Sequence, residues 1–228
     1  QKFYMMVLDK YYEAISSGVA SSVSIKEPVH LYEPIKYILS IGGKRVRPAL
    51  TLMTCDVLTG KYEEALPAAL AVELFHNFSL MHDDIMDNAP LRRGQQSVHE
   101  KWDVNTAILS ENAMLILAYR FFENYDPVKF RDLSRLFSKT ALLVCEGQQL
   151  DMDFEKREDV EIEEYLQMIE NKTAVLLGAA MEMGAIVAGA SEEEKSIMYE
   201  FGKNLGVAFQ LQDDYLDVFG NPDSFGKQ

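Results

Sequence analysis

The sequence predicts an all-α fold, a helical bundle, and three observations carry that prediction. Apolar residues recur at helical spacing through almost every segment of the chain. Strict apolar–polar alternation, the mark of half-buried strands, is absent. Glycine and proline fall mainly between the periodic segments rather than within them.

Taken in order, residues 1–18 form an amphipathic helix, and Pro28 opens a second that runs to about residue 40. Gly42 and Gly43 then allow an unusual turn. Pro48 suits the first position of a third helix, 48–58. Lys44, Arg45 and Arg47 therefore precede a helix N-terminus, whose free amides and dipole favour an anion. This is no Walker loop, since neither serine nor threonine follows the lysine and no strand precedes it. Residues 66–87, with Pro67 near the start, form the central helix, roughly 33 Å long. Glu73 and His76 match the Glu-x-x-His of di-iron bundles, but such bundles need two such motifs and this chain has one.

Residues 88–97 read as a loop carrying Arg92 and Arg93, whose planar guanidinium forks suit phosphate oxygens. Helices follow over 105–124 and 131–153, the second with Gly147 inside it, which permits close packing or a bend. Residues 154–161 are a charged connector. The stretch 162–190 is mostly apolar, and its small residues from Gly178 to Ala185 permit tight packing. Lys172 in that setting calls for an anionic partner. The last helix runs from 192 to 219, and residues 220–228 form a loop.

Two stretches read D-D-x-x-D: Asp83, Asp84 and Asp87 at the end of the central helix, and Asp213, Asp214 and Asp217 at the end of the last. Residues four apart lie on one helical face, so Asp83 points with Asp87 and Asp213 with Asp217. Stacked carboxylates repel unless a cation sits between them. Hard oxygen ligands with positions left open suit Mg²⁺, which binds through one or two carboxylates plus substrate phosphates. One such cluster is an ordinary acidic helix end; two copies, each closing an apolar helix, point to a metal–diphosphate site.

Composition sets the bounds. The 228 residues suffice for a sizeable core, and 48% hydrophobic residues mark a globular chain. Lys and Arg number 22 against 36 Asp and Glu, a net charge of −14 that argues against nucleic-acid binding. Small phosphorylated substrates remain compatible, because metal and a few local cations can meet their charge. Cys55 and Cys145 lie in apolar helical patterns and read as core residues of a reducing, cytoplasmic compartment. The N-terminal segment mixes Lys2, Asp9, Lys10 and Glu13 with its apolar residues, which fits neither a signal peptide nor a transmembrane segment.

Together these stretches resemble the trans-isoprenyl diphosphate synthases, the family that includes farnesyl and geranylgeranyl diphosphate synthases. The matches run in order through the Gly42-to-Pro48 segment, His76, the first acidic motif with Arg92-Arg93-Gly94, and the Gly147-to-Asp151 segment. They continue through Lys172-Thr173, the segment from Phe209 to Asp217, and Phe225-Gly226-Lys227. The resemblance covers the chain from about residue 40 to its end as a single domain. It implies a deep central cavity, a homodimer, and a further C-terminal helical portion beyond Gln228.

It also implies roles. Asp83, Asp87 and Asp213 would bind Mg²⁺, with Asp84, Asp214 and Asp217 near the metal or its waters, and Gln148 and Asp151 completing the wall beside it. Arg92, Lys172 and Lys227 would grip an allylic diphosphate. Lys44, Arg47, His76 and Arg93 would hold isopentenyl diphosphate. Thr173 and Gln210 would stabilise positive charge on the reacting carbons. An aromatic at Phe78 followed by the small Ser79 resembles some geranylgeranyl synthases, Phe78 acting as the floor of the cavity, so the resemblance implies geranylgeranyl diphosphate as product, with farnesyl diphosphate next. Two other readings are a class I terpene cyclase, which lacks the basic Gly42-to-Pro48 segment and the second full acidic motif, and a non-catalytic helical partner subunit.

Overall fold

The structure is a computed structural model that describes the backbone of residues 2–219 and the side chains of residues 8–216. It is helical almost throughout, as the periodicity requires. The helices are α1 (Lys2–Ser22), α2 (Val29–Ser40), α3 (Val46–Thr59), α4 (Leu66–Met86), the short α5 (Val98–Lys101), α6 (Val104–Arg120), α7 (Pro127–Phe154), α8 (Ile162–Ile169), α9 (Val175–Ala188) and α10 (Glu192–Phe219). The described residues fall into two compact units. One lies within Gln1–Ser134 and Met183–Ala190, the other within Arg135–Glu182 and Ser191–Gln228.

The first unit is built on α4. Its residues Ala68, Ala69, Leu70, Ala71, Val72, Leu74 and Phe75 are all buried, so it is covered on nearly every side. α1, α3 and α6 pack against it, and the alanines let their backbones come close. α1 runs past Gly18 to Ser22, because Gly18 lies against Leu70 of α4 instead of ending the helix. The side chains of Lys10 and Tyr11 both donate to Asp56 Oδ2, each at 2.6 Å, tying α1 to α3. A cavity of about 340 Å³ opens between α1 and α2 beside Arg45, lined largely by Val19, Ala20, Val23 and Leu39.

The second unit is built on α8, α10 and the segment between α8 and α9. Glu161 caps α8 in a reciprocal box, its side chain meeting the third residue of the helix and Glu164 reaching back to its own amide. The small residues expected to allow close packing do so: Gly178 lies against the Tyr199 backbone of α10, where a Cβ would come within 2.9 Å of the carbonyl oxygen.

Several boundaries differ from those read from the sequence, each for a local reason. α3 begins at Val46, not Pro48. Pro48 is third in the helix, still among the residues whose amides have no intrahelical partner. Residues 88–97 are not a plain loop: Leu91–Arg92 and Gln95–Gln96 pair antiparallel. Their connection, Arg93 (φ 52°) and Gly94 (φ 76°), puts two consecutive residues in the left-handed region, as a tight hairpin of primed type requires. Within the mostly apolar segment 162–190, Glu170–Ala174 widens into a π turn that the sequence reading did not foresee. Cys55 is buried, but Cys145 is exposed and so is not the core residue expected; both are free thiols. Among the described residues no helix is long and apolar enough to cross a membrane. Lys227 lies outside the described residues, as does the side chain of Asp217.

The start of α4 is held by Tyr125. Its hydroxyl accepts from the Ala68 amide, one of the donors a helix start leaves unpaired, at 3.1 Å, and donates to the Glu64 carbonyl at 2.9 Å. Tyr125→Phe removes both bonds and is expected to cost about 1–3 kcal/mol, read as a lower midpoint in denaturant unfolding with an unchanged slope.

Candidate functional site

On the first unit, the last two turns of α4 and the hairpin build one half of the chemistry. Asp84 is 1% exposed, and Arg92 closes on it, with Nε donating to Oδ1 at 3.0 Å and Nη2 to the same carboxylate. The hairpin makes this possible by bringing Arg92 back over α4, eight residues beyond Asp84. Asp83 is half-buried on the same turn. Asp87 is the exposed C-cap of α4, its amide donating to the Asp83 carbonyl at 2.9 Å. The three carboxylates of the first motif therefore divide: Asp84 turns inward to an arginine, while Asp87 meets solvent. His82, beside them, donates from Nδ1 to buried Glu111 at 2.9 Å, and that hydrogen bond raises its pKa.

Four arginines and a histidine gather where α3 begins. Arg45 is the left-handed N-cap of α3 (φ 51°), and Lys44 before it is exposed. Arg47 lies in the first turn of α3, and its Nη1 is 3.3 Å from His76 Nε2. Arginine has no acceptor, so His76 Nε2 accepts and its proton sits on Nδ1. Burial, then Arg47 and the other arginines, push the His76 pKa well below its usual range, so the ring is neutral at pH 7. Burial also lowers Arg47 to about 10, against the opposing effect of Glu73. Arg93 covers Gly43, where a Cβ would sit 2.6 Å from its guanidinium, so the glycine leaves the space that the arginine fills. The four residues expected to bind one diphosphate thus occupy one region: Arg47 touches His76, and Arg93 and Lys44 flank the same turn.

On the second unit, a chain of hydrogen bonds links the expected residues. Tyr165 donates to Asp214. Gln210 Nε2 donates to Asp214 Oδ1 at 2.8 Å, and Thr173 Oγ1 donates to Gln210 Oε1 at 3.3 Å. Asp214 thereby fixes which end of the Gln210 amide faces Thr173. Burial and the Asp214 contact raise Tyr165 to about 12, so it remains a donor. Lys172 Nζ donates to Asp151 Oδ2 at 2.5 Å, the anionic partner its apolar setting called for. Gln148 is buried near the same end of α7, and Asp213 is exposed on α10.

The π turn brings Lys172 and Thr173 into place. A Cβ on Gly147 would lie 2.3 Å from the Lys172 backbone nitrogen and 2.7 Å from the Asn171 carbonyl carbon. Only glycine lets α7 touch that turn, and π turns of this kind concentrate at functional sites.

The residues fit Mg²⁺ as it is usually bound. Among the described residues no group of three His, Cys, Asp or Glu side chains is preassembled as a cage. Mg²⁺ takes one or two carboxylates and completes its shell with water and phosphate oxygens, and exposed Asp87 and Asp213 are carboxylates of that kind.

Arg45, read from the sequence as part of the anion-binding turn, is instead committed to Glu73 and the Leu39 carbonyl, and sequence reading missed Glu73, Tyr165 and Glu111 as members of these networks. Glu73 left a trace, one turn before His76, in a pattern set aside because it occurs once. Tyr165 left none, since its partner lies 49 residues on.

Gly147→Ala is expected to keep the fold while displacing the π turn, lowering turnover by at least about tenfold with a lower unfolding midpoint. Unchanged turnover would show that the turn does not need this contact.

Comparison with known proteins agrees with this geometry. The chain is 40% identical over 215 residues to a geranylgeranyl diphosphate synthase of Methanosarcina mazei, covering 93% of this chain and 66% of that protein. It is 39% identical over 224 residues to a short chain isoprenyl diphosphate synthase of Methanothermobacter thermautotrophicus, covering 98% and 69%. A crystal structure of a geranylgeranyl pyrophosphate synthase superposes with a TM-score of 0.93 at 56% identity, over 97% of this chain and 68% of that one. The chain thus spans about two thirds of the length of these relatives, with the all-α isoprenoid synthase fold. The polyprenyl synthetase profile matches residues 28–228, and the chain belongs to that family.

Proposed function

We propose that the protein is a short-chain trans-prenyltransferase, condensing isopentenyl diphosphate with an allylic diphosphate. The observation that carries this reading is a cluster of Lys44, Arg47 and Arg93 around neutral His76, which holds no residue of either acidic motif. One reactant is thereby gripped by Lys44, Arg47, Arg93 and the neutral His76 ring, the other by cations beside carboxylates. The names of the relatives support the same chemistry.

In this reading Asp83, Asp87 and Asp213 would hold Mg²⁺, with Asp84, Asp214 and Asp217 near the metal or its waters. Mg²⁺ supplies Lewis-acid neutralisation of the diphosphate leaving group. Arg92 and Lys172 bind the allylic diphosphate, joined by Lys227. Their ion pairs with Asp84 and Asp151 hold both cations in place before substrate arrives, so little reorganisation is needed as charge develops. Departure of the diphosphate leaves an allylic cation. Thr173 and Gln210 present oxygen dipoles to it, and Asp214 keeps the Gln210 amide from turning over. The alkene of isopentenyl diphosphate attacks this cation, one carbon–carbon bond forms, and a proton leaves to the departed diphosphate. Neutral His76 and half-buried Arg47 hold the isopentenyl diphosphate throughout without exchanging protons at pH 7.

We assign geranylgeranyl diphosphate as the product ahead of farnesyl diphosphate. Phe78 sits on α4 between the rings of Phe75 and His82, with centroids 5.6 and 5.8 Å away. It is half-buried, and Ser79 beside it is small, its hydroxyl bonded back to the His76 carbonyl. We further propose a cytoplasmic homodimer, in line with the family resemblance.

Asp83→Ala or Asp213→Ala should lower turnover by orders of magnitude with helicity intact by circular dichroism. Near-normal rates in either variant would remove the metal assignment. Phe78→Ala should shift dephosphorylated products to longer chains on chromatography, at a cost below the roughly 3–5 kcal/mol of a fully buried ring. An unchanged product distribution in the folded variant would take Phe78 out of that role.

A further inference from the structure

We infer that the buried Arg45–Glu73 pair is a positioning element for isopentenyl diphosphate: neither residue touches the substrate, and together they hold Lys44 and Arg47 where the diphosphate needs them. The inference rests on the function proposed above.

Arg45 lies between two expected ligands but does not act as one. Its side chain is 11% exposed and that of Glu73 3%. Nη1 donates to Glu73 Oε1, and Nη2 donates to the Leu39 carbonyl at the end of α2, at 2.7 Å. Both terminal nitrogens are thus committed to protein acceptors. The carboxylate is held from a second side as well: Asn77 Nδ2 donates to the same Oε1 at 2.7 Å and to the Glu73 carbonyl at 2.8 Å.

The backbone at Arg45 needs such support. It is left-handed, φ 51° and ψ 29°, a strained conformation that non-glycine residues rarely adopt. That single residue sets the direction in which the chain enters α3, and so the directions of Lys44 before it and Arg47 after it. One turn beyond Glu73 on α4, His76 meets Arg47 at 3.3 Å. α4 therefore ties the start of α3 at two points one turn apart, through Glu73 to Arg45 and through His76 to Arg47. Only the second tie belongs to the expected substrate ligands.

The alternative is that Glu73 is a plain counter-charge, there to offset crowded arginines. The two roles predict opposite outcomes. A carboxylate near a diphosphate seat repels the ligand, so removing a mere counter-charge would tighten binding of isopentenyl diphosphate. Removing a positioning group loosens it.

The test is Glu73→Gln, with Arg45→Lys as a milder second variant. Titration calorimetry of isopentenyl diphosphate in EDTA and steady-state kinetics with both substrates would be measured on the wild-type protein and both variants. For Glu73→Gln we expect Kd and KM for isopentenyl diphosphate to rise roughly tenfold or more. We expect kcat and the KM for the allylic diphosphate to stay within about twofold, a split that general loss of folded protein would not produce. Arg45→Lys keeps the charge and part of the bonding, so it should fall between wild type and Glu73→Gln. Unchanged or tighter binding in folded Glu73→Gln overturns the inference. If that variant does not fold, wild-type affinity in Arg45→Lys overturns it as well. A wild-type protein that neither binds isopentenyl diphosphate nor turns it over would instead overturn the proposed function, and this inference with it.

Discussion

Concentrating arginines on one surface of an acidic chain carries an electrostatic cost that the rest of the first unit is arranged to meet. Arg45, Arg47, Arg92 and Arg93 all act on His76, and each lowers its proton affinity. Two buried carboxylates answer them. Glu73 takes Arg45 and Asp84 takes Arg92, both from α4. Buried pairs of this kind add little net stability, but loss of one partner strands a charge in the interior. Their value here is geometric. They hold Arg45 and Arg92 against α4, Arg45 at the start of α3 and Arg92 in the hairpin.

In the second unit the corresponding order comes from a hydrogen-bonded chain of side chains. Tyr165, Asp214, Gln210 and Thr173 form one hydrogen-bonded chain whose direction is set by Asp214, which can only accept when ionised. The π turn at Glu170–Ala174 gives Lys172 and Thr173 their register, and Gly147 of α7 fits against its backbone. The weak glycine in the middle of α7 therefore has its reason in a neighbouring element.

Much of the fold was legible because helical periodicity is a local property. The positions of α4 and α10 followed from apolar spacing that ends in two acidic motifs, and their boundaries agree to within a residue. Family membership was legible too, since the motifs come in order along the chain. The β hairpin was not, because two-residue strands are too short for alternation to register, and Arg93 is an uncommon choice for a left-handed turn. The π turn was not, because its residues continue an apolar helical pattern and only the insertion of one extra residue per turn distinguishes it. Cys145 was misplaced because a wide apolar stripe on α7 does not show which edge faces solvent.

By itself the sequence determined that the chain is helical, that its carboxylates and cations stand in separate groups, and which residue types are available for diphosphate and Mg²⁺ chemistry. Those properties depend on spacing along one strand of chain. The tertiary structure decided which charges pair with each other and which stay open: Asp84 with Arg92, Asp151 with Lys172, Glu73 with Arg45, and Arg47 with His76. These contacts join residues 8 to 29 apart, and the Tyr165–Asp214 contact spans 49. Electrostatic energy depends on distance and burial, and neither is written in sequence separation.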